Sequence, residues 1–315
     1  MAKAFVFPGQ GSQDVGMGKT LADQFASARE VFDEVDDALG EKLTDIMWEG
    51  PKETLTLTQN AQPALMAVSL AVVRVLEKDF GVALRDKASF VAGHSLGEYS
   101  ALAAAGTFTI SDTAKLLRAR GNAMQKAVPV GQGAMAALLG VGLDVAQKVA
   151  EEAAQGDVCQ VANDNDPAQV VLSGSKTAID RVPDISKQHG ARRAVSLPVS
   201  APFHCALMQP AADVMAEELA NVDMQEPCVP LIANVTAGPL NSPDDIRRSL
   251  VQQVTGTVRW RECVLAMTDA GVTEFYEIGA GKVLSGLVGR IKKGTPASSI
   301  GSPADIEAVI EQLRA

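Results

Sequence analysis

Cysteine is scarce in this sequence, and what there is forms no recognisable site. Cys159, Cys205, Cys228 and Cys263 are the only four in 315 residues, and no two stand in a C-x-x-C pair. That excludes a zinc knuckle or a disulfide framework, and reduced thiols are expected. Long apolar runs are missing too, since nothing approaches the roughly 18 residues of a membrane span. Met1-Ala2-Lys3 leads into a short apolar stretch that Pro8-Gly9 ends, too short for a secretory leader, so a cytoplasmic protein without membrane attachment is expected. Positive charge is short: 28 Lys and Arg against 38 Asp and Glu leave a net charge of −10, the wrong balance for general nucleic-acid binding. Nucleotide loops fail on inspection. Gly18-Lys19-Thr20 ends like a phosphate-binding loop, but Gln13 stands where its first glycine belongs, and the G-x-G-x-x-G begun by Gly9 and Gly11 stops at Asp14. No cofactor or metal is expected.

The composition is otherwise that of a globular chain, with 47% hydrophobic and 21% charged residues. An apolar strand at Lys3–Phe7 runs into the loop Pro8–Gln13, whose glycines allow close backbone approach to something. Helical patterns follow at about 21–39 and 61–80, then a short strand at 88–92, a helix at 96–105 and another that Ser111 or Asp112 can cap, ending near Lys126. Between 133 and 199 the order becomes strand (134–141), helix (143–154), strands (158–162 and 169–173), helix (176–188) and strand (192–198). That βαββαβ succession is the ferredoxin-like pattern. Further on come a helix at 208–220, a strand at 229–234, and a helix capped by Ser242 with Pro243 at its first position. A helix at 264–270, a strand at 273–278 entering Gly279-Ala280-Gly281-Lys282, and a last helix opening on Ser302-Pro303-Ala304-Asp305 complete the chain. The expected architecture is α/β with a largely parallel sheet, divided into a discontinuous large domain (1–130 and 200–315) and an insert (131–199).

The organising stretch is Gly93-His94-Ser95-Leu96-Gly97. A G-x-S-x-G on a strand-to-helix turn is the arrangement that presents a serine Oγ and aims the following N–H groups at a developing oxyanion. The plainer alternative is a glycine-rich turn whose serine caps a helix. A serine needs a base, and the chain holds three histidines. His94 adjoins the serine in sequence and should point elsewhere, lining a pocket. His189 ends a helix before Gly190, where it would meet the last carbonyls. His204 follows Val199-Ser200-Ala201-Pro202-Phe203 at the end of a strand-like run, where functional residues of α/β proteins collect. In the helix near 113–126, Arg120 shares an arc of about 100° with Leu116, Leu117 and Met124, which turns a charge inward. A buried salt bridge explains it; so does a clamp for a substrate carboxylate, a task suited to the planar guanidinium fork. Rival readings remain a serine hydrolase and a non-catalytic scaffold. Against a patatin-like hydrolase, no Asp is followed by Gly.

FVFPGQGSQ at 5–13, TQNAQPAL at 58–65, GHSLGEYSAL at 93–102, RGNAMQ at 120–125, the Asn163 and Asn165 region, PVSAPFHCALM at 198–208 and YEIGAGKVLSGL at 276–287 occur in one order along the chain. Together they resemble the malonyl-CoA:acyl carrier protein transacylase family, and are similar to the acyltransferase domains of polyketide synthases. The resemblance implies a large α/β-hydrolase-like domain with a ferredoxin-like insert. It further implies Ser95 as nucleophile and His204 as base, Gln10 and Leu96 N–H groups as the oxyanion hole, and Arg120 on the malonyl carboxylate. The Gln253 carbonyl would orient the histidine, and His94, Gln62, Phe203 and Asn163 would line or orient the pocket. The implied partners are malonyl-CoA and an acidic acyl carrier protein docking on Lys187, Arg192, Arg193, Arg290, Lys292 and Lys293, with the enzyme a monomer. Ala280 departs from the usual G-P-G-K loop, which bears on that loop's stiffness alone.

Overall fold

The computed structural model describes residues 2–314. Its described strands are β1 (Ala2–Phe7), β2 (Phe90–Gly93), β3 (Gly133–Leu139), β4 (Cys159–Asp166), β5 (Gln169–Ser175), β6 (Arg193–Ser196), β7 (Leu231–Ile232), β8 (Pro239–Leu240), β9 (Val272–Ile278) and β10 (Ala297–Ile300). They form two sheets. The first runs β10-β9-β1-β2-β7-β8, parallel throughout except for the β7/β8 hairpin. β1 sits inside it with Ala4 to Phe7 buried, as expected of a strand with a neighbour on each side and helices on both faces. In register, Phe7 lies beside Gly93, so β1 and β2 end together and deliver the loop after Phe7 and the turn after Gly93 to one edge. Ligands of open parallel sheets bind at this carboxyl edge.

The helix Thr58–Lys78 is apolar nearly all round and is buried from Ala61 to Val73 without interruption. It packs against Ile110–Ala127 and Ala26–Leu39 in the main core, which is what an all-round apolar helix requires. The cap of Ile110–Ala127 is Thr109, not Ser111 or Asp112. Thr109 is extended and its Oγ1 accepts from Asp112 N at 3.0 Å, while Ser111 Oγ donates to Glu34. The single helix expected at 21–39 is two, Lys19–Gln24 and Ala26–Leu39. They break at the extended Phe25, whose ring packs edge-on to Phe80 at 6.0 Å. The strand expected at 229–234 shrinks to Leu231–Ile232, because Pro230 has no N–H for the ladder and Asn234 is engaged elsewhere. Helix Val283–Ile291 and strand β10 follow the Gly279–Lys282 loop without having been anticipated.

The second sheet is antiparallel, ordered β4-β5-β3-β6, with helices Leu143–Ala154 and Lys176–Gln188 packed beside each other against it. This is the ferredoxin-like arrangement expected from the βαββαβ succession. It encloses a hydrophobic cluster of its own, centred on Leu138, Val149, Leu172 and Val182. Val258, outside both sheets and packed in one cluster with Val6 and Ala92, bridges β4 of the second: its N donates to Ala162 O at 2.8 Å and Asp164 N to its O at 2.9 Å. No helix of the described residues is long and apolar enough to cross a membrane.

Candidate active site

The turn after β2 is built by exclusion. A Cβ on Gly93 would lie 1.9 Å from the Gly97 backbone, and one on Gly97 would lie 2.2 Å from Phe7 O, so neither position admits a side chain without displacing main chain. Between them Ser95 takes φ 54°, a left-handed conformation rare outside glycine. Asn234 staples the turn from β7: its Oδ1 accepts from Ser95 N at 2.8 Å and its Nδ2 donates to Gly93 O at 2.7 Å. The close approach expected of the 8–13 loop is to this same turn, since a Cβ on Gly9 would lie 2.7 Å from His94 O.

His204, buried and also left-handed at φ 58°, brings Nε2 to 2.8 Å from Ser95 Oγ. Its Nδ1 lies 2.8 Å from Gln253 O, an atom that can only accept. Nδ1 therefore carries the ring proton, and Nε2 is left to accept from the serine hydroxyl. Burial and the Arg120 charge push His204 down to about 3, against the opposing bond to Gln253, so the imidazole is uncharged at neutral pH and able to accept a hydrogen bond at Nε2. Two backbone N–H groups, of Gln10 and Leu96, find no acceptor among the described residues, and both residues line the cavity beside Ser95. Gln10 is tethered from its side chain: Thr58 Oγ1 donates to Gln10 Oε1 at 3.0 Å and accepts from Gln62 Nε2 at 2.9 Å.

Arg120 is 1% exposed and makes no ion pair among the described residues. Its Nη1 donates to Gln62 Oε1 at 2.7 Å, and its Nη2 to Gln253 Oε1 at 2.9 Å and Ser95 Oγ at 3.1 Å. The guanidinium lies 5.6 Å from the Tyr99 ring centroid, and its Nε has no partner. The structure thus supplies no salt bridge for Arg120, and its hydrogen-bond partners are neutral groups alone. Burial pulls Arg120 down from the usual arginine range while Tyr99 and Glu98 act the other way.

These groups share a cavity of about 430 Å³ lined also by His94, Asn163, Phe203, Met124 and Met135. His94 turns away from the serine: its Nε2 meets Asn165 Oδ1 at 2.9 Å and its ring packs on Trp260. His189 differs from expectation, pairing with Glu152 at 2.8 Å rather than with helix carbonyls. Cys205 beside His204 is a packing thiol, buried and donating to Pro202 O. Sequence reasoning missed Asn234, which holds the turn of Ser95. Asn234 carried one signal, its place just past an apolar run that ends at the carboxyl edge.

A cavity-facing serine on a strand-to-helix turn, hydrogen-bonded to a backbone-oriented histidine at the carboxyl edge of a parallel sheet, defines a class: enzymes that move acyl groups through serine. The comparisons with known proteins narrow it. Residues 4–302 match the acyl transferase domain family. The chain is similar to the malonyl CoA-acyl carrier protein transacylases of Bacillus subtilis strain 168 (43% identical, 99% of this chain and 97% of that protein) and Escherichia coli K12 (45%, 98% of each). Its fold matches the crystal structure of an acyl-carrier-protein S-malonyltransferase from Bartonella henselae, with TM-score 0.97, 56% identity and full coverage of both chains. It also matches a malonyl-transacylase solved in complex with a type II polyketide acyl-carrier protein (TM-score 0.95, 42% identity, 99% of this chain and 100% of that one). The chain belongs to the acyl transferase domain family and is an acyltransferase.

Proposed function

We propose that the protein transfers a malonyl group from malonyl-CoA to the phosphopantetheine thiol of an acyl carrier protein, supplying fatty-acid synthesis, through a malonyl ester on Ser95. The observation that carries this reading is Arg120: a buried guanidinium without a carboxylate partner, 3.1 Å from the serine Oγ, inside the cavity. A charge so placed suits a substrate whose acyl group ends in a carboxylate.

Ser95 Oγ attacks the thioester carbonyl carbon while His204 Nε2 takes its proton. The tetrahedral oxyanion sits against the Gln10 and Leu96 N–H groups, each donor worth about 2.7–4 kcal/mol in comparable sites. The intermediate collapses, the C–S bond breaks, and CoA leaves as the thiol with the proton from His204. In the second half the pantetheine thiol gives its proton to His204 and attacks the ester; on collapse Ser95 recovers that proton. Such a two-step exchange gives ping-pong kinetics.

The same reading divides the chain into a catalytic body (1–130 and 200–315) and an insert (131–199), supported by the insert's own hydrophobic cluster. It has a cytoplasmic monomer receive the acidic carrier on Lys187, Arg192, Arg193, Arg290, Lys292 and Lys293, all exposed. In support, cross-strand register lines up Asp166, Gln169, Leu139 and Arg193 at one end of the second sheet, and Arg290 Nε reaches Asp166 at 2.6 Å. Part of Arg290's charge is spent on that pair. Incubation with labelled malonyl-CoA, with and without carrier protein, tests the function. Label on the carrier supports transfer; free malonate at the same rate with and without carrier would make the protein a hydrolase.

A further inference from the structure

One charged group beside the site plays no part in that scheme. Glu98 stands in the first turn of the helix Gly97–Ala104, fully buried and outside the cavity lining. No cation lies within ion-pair distance of it among the described residues. Its Oε2 accepts from Gln253 Nε2 at 2.8 Å and from Asn234 N at 3.2 Å, and its Oε1 has no partner. A buried carboxylate held this way costs stability, and its contacts point to a use that offsets the cost.

The use follows from what its two partners do. Gln253 turns Nε2 toward Glu98 and Oε1 toward Arg120 at 2.9 Å, so one amide dipole spans the buried anion and the buried cation with the favourable polarity at each end. The same Nε2 reaches Ser95 O at 2.9 Å, and the Gln253 backbone carbonyl accepts a hydrogen bond from His204 Nδ1. Asn234, whose backbone N–H Glu98 holds, staples Ser95 N and Gly93 O. Both residues that fix the serine and the histidine are therefore anchored on one carboxylate.

We propose that Glu98 is a positioning residue for acyl transfer, the buried counter-charge of Arg120 that sets the Gln253 amide and, through Gln253 and Asn234, the geometry of Ser95 and His204. The inference rests on the acyl-transfer reading of Ser95. Only the ionised carboxylate is purely an acceptor. Arg120 and Ser95 O ask for the same orientation of the Gln253 amide, and protonation of Glu98 removes the negative charge that holds the Nε2 end of that amide in place. Burial pushes Glu98 up to about 7, while Gln253, Asn234 and Arg120 hold it down; Tyr99 on its own helix and Cys263 on Trp260–Asp269 also face it.

Glu98→Gln keeps the shape and removes the charge, and the test pairs it with wild type. Wild type is first exposed to malonyl-CoA: absence of an acyl adduct on Ser95 refutes the acyl-transfer reading itself. With that adduct present, Glu98→Gln is expected to lower kcat about tenfold to 10²-fold, the scale of a small misplacement of reacting groups, with KM for malonyl-CoA little changed. Wild-type kcat/KM is expected to fall as pH drops through about 7, a limb absent from Glu98→Gln. Glu98→Asp restores part of kcat and the limb. Wild-type kcat and an unchanged profile in Glu98→Gln overturn the proposal. If that variant does not fold, a wild-type kcat/KM flat between about pH 8 and 5, the window in which an ordinary histidine titrates, overturns it as well.

Discussion

Two cavities of similar size each present an arginine, and the two arginines are held in opposite ways. In the cavity of about 380 Å³ between Gly142–Val145 and Pro167, Arg261 grips both oxygens of Asp164, with Nε at 2.9 and 3.1 Å and Nη2 at 2.8 Å. In the cavity of about 430 Å³ around Ser95, Arg120 is more deeply buried yet donates its hydrogen bonds to amide and hydroxyl oxygens, with no carboxylate among them. Cavity volume does not separate the two places; the state of the charge does. Arg261 has its carboxylate inside the chain and ties the insert sheet to the Trp260–Asp269 helix, whereas Arg120 has no carboxylate partner among the described residues, as the proposed clamp for an incoming carboxylate requires.

Exchanging each arginine for alanine should therefore produce crossed effects. Arg120→Ala gives the largest: truncating one partner of a desolvated charge pair costs about 2–5 kcal/mol, some thirtyfold to several-thousand-fold in kcat/KM for malonyl transfer. Acetyl transfer, which brings no carboxylate, should fall far less; equal losses would make Arg120 a structural residue. Arg261→Ala should leave malonyl transfer within about twofold but lower unfolding stability by about 1–3 kcal/mol, since it strands a carboxylate that is 1% exposed. Denaturant unfolding of the two variants checks the crossing.

A subtler consequence concerns His204. Arg120 helps hold His204 down to about 3, after burial as the main cause. Followed by NMR of its ring carbons, His204 should stay neutral well below the ordinary histidine range in the wild type, and its midpoint should rise in Arg120→Ala. A wild-type midpoint near neutrality would contradict the geometry described. The smallest effect belongs to the surface: reversing Arg193 and Lys292 together should raise the apparent KM for carrier protein by a few fold, about 0.2–1 kcal/mol per rim charge, and more at low salt. Arg290, already paired with Asp166, should contribute less.

Periodicity revealed the second sheet best. Helices 143–154 and 176–188 fall where the apolar spacing put them, because a small two-layer unit leaves each helix one buried face. Ser95, His204 and the inward Arg120 were legible from local pattern. The contacts among them were not, and the role of Gln253 came only through family resemblance. What escaped was long-range: Asn234 reaches back 139 residues to staple Ser95, and Gln253 reaches 155 to Glu98. No local period encodes such bonds. Phe25 and Pro230 misled for a related reason, as a tertiary ring contact and a missing N–H overrode propensity at single residues.

In the proposed function, Ser95 carries an acyl group chosen by its carboxylate. Intact-mass measurement after brief exposure to equal malonyl-CoA and acetyl-CoA, followed by peptide mapping, reads this directly. A malonyl adduct on Ser95 that outweighs acetyl, and is absent from Ser95→Ala, is the predicted result. An adduct elsewhere, no adduct, or acetyl in equal amount would contradict it.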